Sequence, residues 1–262
     1  MGDNAAFGRM LYDALQNRQV VRPLIEQAPA LHIDDAYAIS LAFLGHRLAA
    51  GEQVVGKKIG VTSKAVQDML GVHQPDFGFL TNAMRVNGDI DIDAHRLIAP
   101  RAEAEIGFIL AEDLNGPGIT AQDVIAATAA ICPCFEIVDS RIRDWKISII
   151  DTVADNASCG VFVLGAERLD PRLFSLPDLR VSVRKNGAPL SEGFGRAVQG
   201  DPAMAVAWLA NTLGSYGVSL NAGDIILSGS LVPLEPAVRG DKFAMQLWDG
   251  DKQIGACDAN FI

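Results

Sequence analysis

Two glutamates lie two positions apart at the start of an apolar segment. Glu103 and Glu105 occur in Pro100 to Leu110, and Glu136 lies inside a second apolar segment. In a strand, positions i and i+2 point to one face with Cα atoms about 6.6 Å apart. Buried ionised carboxylates are unfavourable unless a cation neutralises them, and oxygen ligands favour Mg²⁺ or Mn²⁺ over Zn²⁺. The spacing alone leaves a second interpretation open, in which Glu103 and Glu105 face solvent on an edge strand.

A lysine between glycines is the second candidate. Lys58 lies in the sequence Gly-Lys-Lys-Ile-Gly-Val-Thr-Ser that begins at Gly56. Glycines let the backbone approach a ligand, and an ammonium group there could donate a proton or attract a carboxylate. The alternative is an ordinary exposed lysine.

The third candidate is Asp76 in the turn-like sequence Gln-Pro-Asp-Phe-Gly. A turn would place its carboxylate at the edge of a cleft. The alternative is a turn-forming aspartate that accepts backbone hydrogen bonds.

Two further segments have the composition of functional loops. Residues 139–160 are rich in charged and small side chains, which favours a long loop folded over a site, although internal ion pairs of Asp139 with Arg141 or Arg143 would also explain the charges. Ser228-Gly-Ser230 follows an apolar strand, where backbone N–H groups could bind a carboxylate or simply form a tight turn.

The overall charge and the remaining motifs restrict the function. A net charge of -10 argues against nucleic acid and anionic membranes as main partners. No P-loop, GxGxxG or GxSxG motif is present, and the four histidines show no metal-binding spacing. We expect no signal peptide and no membrane span. The four cysteines lack CxxC spacing, so we expect buried free thiols and a cytoplasmic protein.

The elements that must position these residues follow from periodicity and turn signals. Apolar spacing predicts helices in the first fifty residues, a short helix from Ser63 to Gly71, a helix from Thr120 to Ile131, and one from Asp201 to Leu213. Strands are predicted at 54–61, 104–110, 135–138, 161–164, 179–184, 225–227 and 243–248, with hairpin turns at Asn186-Gly187 and Asp249-Gly250.

These elements predict an α+β fold with a helical N-terminal region on a mixed, β-rich core. We expect residues 1–70 to form the helical region and residues 71–262 the catalytic core, as one integrated unit.

Together, the motifs around Lys58, Asp76, Glu103, Glu105 and Glu136, with the later Asp-Thr-Val-Ala-Asp-Asn-Ala-Ser, resemble the 2-hydroxypenta-2,4-dienoate (2-keto-4-pentenoate) hydratase family. This family belongs to the fumarylacetoacetate hydrolase superfamily and acts in aromatic meta-cleavage pathways. The resemblance extends from about Tyr37 to the C-terminus. It implies a core of the fumarylacetoacetate hydrolase C-terminal-domain type.

The resemblance also implies roles for these residues. Glu103, Glu105 and Glu136 match the family's metal ligands, Lys58 its active-site lysine, and Asp76 its active-site aspartate. Lys57 is an alternative to Lys58, which we prefer because it directly precedes Ile59-Gly60.

The hypothesis is a Mg²⁺- or Mn²⁺-dependent hydro-lyase that acts on a small 2-keto acid or its dienol. The cation would chelate the C1 carboxylate and the C2 oxygen, water would add at C4, and Lys58 and Asp76 would transfer protons and position water. Ser158 or Ser230 would hold the substrate carboxylate.

The resemblance further implies a homo-oligomer and a complex with the 4-oxalocrotonate decarboxylase of the same pathway. The alternatives are that decarboxylase itself, a related 2-oxo-diacid hydratase, or a non-catalytic partner subunit. The superfamily's hydrolases use a His–Glu pair, and no histidine stands near the metal motifs here.

Overall fold

The N-terminal segment is helical, as its apolar spacing predicted. A computed structural model describes residues 4–63, 67–68, 72–86 and 91–262. Helices α1 (Asn4–Asn17), α2 (Leu24–Gln27) and α3 (Ile33–Ala49) share an apolar cluster with a later helix, Ile149–Ala154. The helix predicted from Ser63 to Gly71 lies largely outside the described residues.

Twelve strands and three further α-helices make up most of the remaining described chain. The strands are β1 (Val54–Gly60), β2 (Asp76–Thr81), β3 (Asp91–Ile92), β4 (Pro100–Leu110), β5 (Thr128–Asp139), β6 (Cys159–Leu164), β7 (Arg180–Lys185), β8 (Ala188–Phe194), β9 (Ile225–Leu227), β10 (Glu235–Pro236), β11 (Lys242–Asp249) and β12 (Lys252–Phe261). The helices are α4 (Ala121–Ala127), α5 (Ile149–Ala154) and α6 (Pro202–Gly214).

Two sheets enclose the main core. The larger has the order β2-β1-β9-β4-β5-β6 with β10 beside β4, and the smaller has the order β3-β12-β11-β7-β8. Phe135 of β5 contacts Phe243 of β11 at 6.2 Å between ring centroids, so one face of the larger sheet packs on the smaller sheet. Because side chains alternate along a strand, Glu136 points away from that core, towards the helical side.

This architecture confirms the predicted α+β class with a helical N-terminal region on a mixed, β-rich core. The six strands predicted after residue 100 are present, several of them longer than predicted. Asn186 (φ 53°) and Gly187 (φ 81°) form the predicted tight turn between β7 and β8. The strand β1 lies within residues 1–70, the range of the predicted helical region, and it pairs with β2 and β9 of the larger sheet.

The predicted helix from Thr120 to Ile131 was wrong in its second half. Thr120 does cap α4, but the helix ends at Ala127 and β5 begins at Thr128. Ala130 and Ile131 pair with Ile109 and Phe108 of β4. Long-range strand pairing thus overrides the local helical preference of the alanines.

Five strands were not predicted, namely β2, β3, β8, β10 and β12. The segment around Asp76 read as a turn, but Asp76 is the first residue of β2 and pairs with Gly60. The edge strand β8 is largely exposed, and β12 contains polar residues and a glycine, so neither shows a clean apolar alternation. Within the described residues, no helix has the length and apolar character needed to cross a membrane.

Candidate active site

The three glutamates converge on one face of the larger sheet. Glu103 of β4 pairs directly with Glu136 of β5, and Glu105 lies two residues further along β4. Carboxylate oxygens from the three side chains lie within 4.8 Å of one another. Glu105 and Glu136 are buried and Glu103 is half-buried. The solvated edge-strand interpretation is therefore wrong, because β4 lies between β9 and β5.

Burial and mutual repulsion shift the titration of this cluster. Burial raises the pKa of Glu105 well above its usual range, and the charges of Glu136 and Glu103 raise it further. Burial also raises the pKa of Glu136 to about 7, although the nearby Lys58 opposes this shift.

Two carboxylate oxygens of the cluster are buried without a hydrogen bond or ion pair to any described residue. Gly229 donates a backbone hydrogen bond to one oxygen of Glu105 at 2.8 Å. The other oxygen of Glu105 and Oε2 of Glu136 are buried without a hydrogen-bond partner, and Oε1 of Glu136 has only the Lys58 ammonium 3.3 Å away. Buried polar atoms are normally satisfied, so these orphaned oxygens fit a divalent cation with hard oxygen ligands.

Lys58 and Asp76 flank the carboxylate cluster. The ammonium Nζ of Lys58 lies 3.3 Å from Glu136 Oε1, and its side chain is 4% exposed. Burial lowers the pKa of Lys58, but the surrounding carboxylates, Glu136 foremost, raise it more, so the net shift is upward. Burial raises the pKa of Asp76, whereas Lys58 and then Thr152 oppose the rise. Neither oxygen of Asp76 has a hydrogen bond of ordinary geometry.

Gly60 leaves the space in which this pair meets. A Cβ atom at Gly60 would lie 2.2 Å from Asp76 Oδ1 and 3.4 Å from Lys58 Nζ. The first distance is a steric clash with a buried side chain. The glycine that follows Ile59 is therefore required by the space that the Asp76 and Lys58 side chains occupy and not by backbone conformation.

The two adjacent lysines point to opposite faces of β1. Lys57 Nζ forms an ion pair with Asp224 at 2.5 Å, away from the glutamates. Its side chain is 5% exposed, so both lysines are buried and neither is the ordinary surface lysine considered above. The geometry brings Lys58, and not Lys57, to the carboxylate cluster.

The loop before β6 presents Ser158 in a strained conformation. Asn156, Ala157 and Ser158 have φ values of 53°, 50° and 54°. The side chain of Asn156 fastens this loop to β2 through hydrogen bonds with the backbone N–H and C=O of Phe79 at 2.8 and 2.9 Å. The hydroxyl of Ser158 is buried without a partner. Such strain persists only where the surroundings enforce it and is typical of functional sites.

An internal ion pair supports the same loop. Arg141 is fully buried and donates from Nε to Asp155 at 2.6 Å and from Nη1 to the carbonyl of Cys159 at 2.6 Å. Burial raises the pKa of Asp155 to about 6 against the opposing charge of Arg141. The predicted ion pair of Arg141 with the Asp139 carboxylate is absent: that carboxylate accepts backbone hydrogen bonds from Ile98 and Ala99, and Arg141 donates instead to the Asp139 backbone carbonyl at 2.6 Å.

Ser230 lies in the segment that follows β9 and lines the same cavity as Lys58 and Ser158. Its hydroxyl donates to the carbonyl of Val232 at 2.7 Å. The neighbouring Gly229 donates its N–H to Glu105, so this backbone amide positions a cluster carboxylate.

A cavity of about 540 Å³ joins these groups. Lys58, Asp76, Glu103, Ser158 and Ser230 line it, while Glu105 and Glu136 lie behind Glu103. The predicted long loop 139–160 contains helix α5 and contributes much of the wall.

Sequence reasoning missed several cavity residues. Arg101 precedes Glu103 by two positions on the same strand face, a parity that could have identified it. Trp145 and Thr152 lie within the polar block whose composition indicated a functional loop. Sequence alone gives no signal that selects these two from their neighbours.

Comparisons with known proteins agree with this geometry. Residues 53–262 match the model of the family "Fumarylacetoacetate (FAA) hydrolase C-terminal". The chain is 55% identical over 256 residues to a 2-hydroxyhexa-2,4-dienoate hydratase from Comamonas testosteroni, covering 97% of this chain and 96% of the relative. It is 58% identical over 213 residues to a 2-hydroxypent-2,4-dienoate hydratase from Pseudomonas putida, covering 81% and 96%.

A solved structure is similar over nearly the whole chain. A solved structure of 4-oxalocrotonate decarboxylase from Pseudomonas putida G7, complexed with magnesium and adipate, superposes with a TM-score of 0.94. Its sequence is 33% identical, and the match covers 99% of this chain and 97% of that one. The chain therefore belongs to the fumarylacetoacetate hydrolase C-terminal family.

Proposed function

We propose that this chain is a divalent-metal-dependent hydratase that converts 2-hydroxypenta-2,4-dienoate into 4-hydroxy-2-oxopentanoate. The convergence of Glu103, Glu105 and Glu136 beside Lys58 and Asp76 carries the proposal. The hydratase names of relatives at 55% and 58% identity support the substrate class.

Glu103, Glu105 and Glu136 would hold the cation. Their oxygen ligands suit Mg²⁺ or Mn²⁺, and the bound ion would polarise the 2-oxo group as a Lewis acid. The magnesium in the related decarboxylase structure supports this assignment.

Lys58 and Asp76 supply the proton-transfer groups. Lys58 remains charged because of its carboxylate neighbours, so it can stabilise negative charge that develops on the substrate. Burial raises the pKa of Asp76, which favours a carboxyl group that can take up and return a proton during the reaction. Protonation at C5 of the dienol, with loss of the 2-hydroxyl proton, gives a conjugated 2-oxo acid. Water then adds across C3 and C4, with its hydroxyl group at C4 and a proton at C3.

The serines orient the substrate. Ser158 has a buried, unpartnered hydroxyl at the cavity, which can donate to the C1 carboxylate. Ser230 is the second candidate, although its hydroxyl must first leave the carbonyl of Val232.

The direct test follows loss of the dienol absorbance with Mg²⁺, with Mn²⁺ and with excess chelator. We expect activity only with metal, and no turnover in Glu105→Gln. Glu112→Gln is the matched control, because it removes the same charge from an exposed position near the end of β4. Full activity in chelator, or in folded Glu105→Gln, would refute metal dependence.

The alternative reaction is decarboxylation of 4-oxalocrotonate. The similarity to a decarboxylase structure at 33% identity supports this alternative. Incubation with the six-carbon 2-oxo diacid separates the two reactions. Release of CO₂ without loss of the dienol would assign the chain to the decarboxylases.

Assembly is a further part of the proposal. Exposed apolar side chains such as Leu173, Tyr216 and Val238 support a homo-oligomer or a complex with the decarboxylase of the same pathway. Light scattering of the chain alone and of the mixture tests both.

The four buried free cysteines support a location in a reducing compartment such as the cytoplasm.

A further inference from the structure

Helix α5 presents Thr152 to the cavity beside Asp76. Thr152 is 5% exposed and lines the cavity together with Asp76, and α5 packs against β2, the strand that begins at Asp76. Successive residues of a helix differ in direction by about 100°, so the neighbours of Thr152 face elsewhere. Val153 and Ala154 are fully buried in the apolar cluster of the N-terminal helices. Thr152 is thus the polar side chain that α5 directs towards the proton-transfer groups.

The hydroxyl of Thr152 can orient the Asp76 carboxyl in a way that Lys58 cannot. It faces this carboxyl closely enough to oppose, as a hydrogen-bond donor, the rise in the pKa of Asp76. The ammonium of Lys58 lies 3.3 Å from Glu136, so its charge is shared with the glutamate cluster. An ammonium group can only donate, whereas a hydroxyl both donates and accepts. Thr152 can therefore contact Asp76 both as a carboxylate and as a protonated carboxyl.

Asp151 fixes the position of Thr152 by fastening α5 to the N-terminal helical region. The buried carboxylate of Asp151 accepts the N–H of Leu24 at 2.6 Å on one oxygen, and the N–H and hydroxyl of Ser148 at 2.9 and 2.7 Å on the other. Leu24 begins α2, and Ser148 caps α5. Hydrogen bonds to a buried carboxylate are strong and costly to break. The backbone that carries Thr152 is therefore held in one place.

We propose that Thr152 is a positioning residue whose hydroxyl keeps the Asp76 carboxyl directed at the substrate in both of its protonation states. The inference rests on the proposed function, in which Asp76 takes up and returns a proton. Misplacing a reacting group by about 1 Å can cost about 100-fold in rate. Thr152 need not touch the substrate, so loss of its hydroxyl should slow turnover without weakening binding.

Steady-state kinetics of Thr152→Val and Thr152→Ser test the role of the hydroxyl. Valine keeps the shape of threonine without the hydroxyl, and serine keeps the hydroxyl without the methyl group. We expect kcat for the dienol to fall at least about tenfold in Thr152→Val, with KM changed by less than about twofold. Thr152→Ser should stay within about threefold of the unmodified protein, because it can still donate and accept.

Thr128→Val is the matched control for these kinetics. Thr128 is buried, donates its hydroxyl proton to the carbonyl of Val124 at 2.7 Å and does not line the cavity. This variant should lose stability and keep kcat unchanged, and thermal melting verifies that each variant is folded. A higher KM with unchanged kcat in Thr152→Val, or a Thr152→Ser protein as slow as Thr152→Val, would overturn the inference.

A double-mutant cycle measures the contact without relying on turnover. Denaturant unfolding of the metal-free chain compares the effect of Thr152→Val in the unmodified protein and in Asp76→Ala. We expect Thr152→Val to lower the unfolding midpoint in the first background and to have no further effect in the second, which lacks the acceptor. Equal losses in the two backgrounds would contradict the positioning role. Unequal losses without dienol turnover would retain this role and reject the hydratase. Dienol turnover with equal losses would do the reverse.

Discussion

Replacing each of the adjacent lysines by methionine should separate stability from catalysis. Lys57 forms a buried ion pair with Asp224, and Lys58 faces Glu136 on the other side of β1. Lys57→Met leaves the Asp224 carboxylate buried without its cation, which costs about 3–5 kcal/mol in comparable cases. We expect the lower end, about 3 kcal/mol, because Asp224 still accepts a backbone hydrogen bond from Asn221 at 2.8 Å.

A loss of this size lowers the melting temperature by about 6–12 °C in a chain of this length. Below that temperature, Lys57→Met should retain kcat within a few-fold of the unmodified protein. Lys58→Met should reduce kcat by at least about 100-fold with metal present, the usual contribution of a general acid or base.

Thermal melting and initial rates of dienol consumption measure the two effects. The double variant Lys57→Met with Asp224→Leu should recover much of the lost stability, because no buried charge is left unpaired. A folded Lys57→Met protein without activity, or a fully active Lys58→Met protein, would show that the two faces of β1 are assigned incorrectly.

Three other changes test the site. Gly60→Ala should abolish dienol turnover through its clash with the Asp76 carboxylate, whereas Gly45→Ala, with open space around its Cβ, should retain it. Folding raises the pKa of Glu136 from 4.5 to about 7, so its stabilising effect in the metal-free protein is present below about pH 4.5 and lost as the pH rises through 7. Melting should therefore show lower metal-free stability at pH 8 than at pH 5, and a larger gain from Mg²⁺ at pH 8. Asn156→Ala removes two hydrogen bonds to β2 and should cost about 2 kcal/mol in denaturant unfolding and raise KM; an unchanged KM would separate the loop from substrate binding.

Strand parity was sufficient to place Glu103 and Glu105 on one face, because it depends only on local geometry. The pairing of Glu103 with Glu136 depends on the register between β4 and β5, which a single sequence does not encode visibly. The same limitation explains the helix predicted to continue to Ile131, where pairing with β4 determines the conformation.

Local patterns also could not separate Lys57 from Lys58 without the family motif. The partners that distinguish them, Asp224 and Glu136, lie far away in sequence. Ser158 was selected through the resemblance, whereas its left-handed conformation and the buried support from Arg141 are tertiary properties.

The proposed metal ligands lie on central strands, whereas the outer wall of the cavity is formed by a strand end and a loop. The glutamates are anchored in neighbouring central strands, where a shift of one residue would turn all of them to the opposite face. Arg101 and Trp145 lie at the outer end of β4 and in the loop above it. Selection for new substrates can therefore act on the outer residues while the reaction centre stays unchanged, and relatives with different substrates should diverge first at this rim.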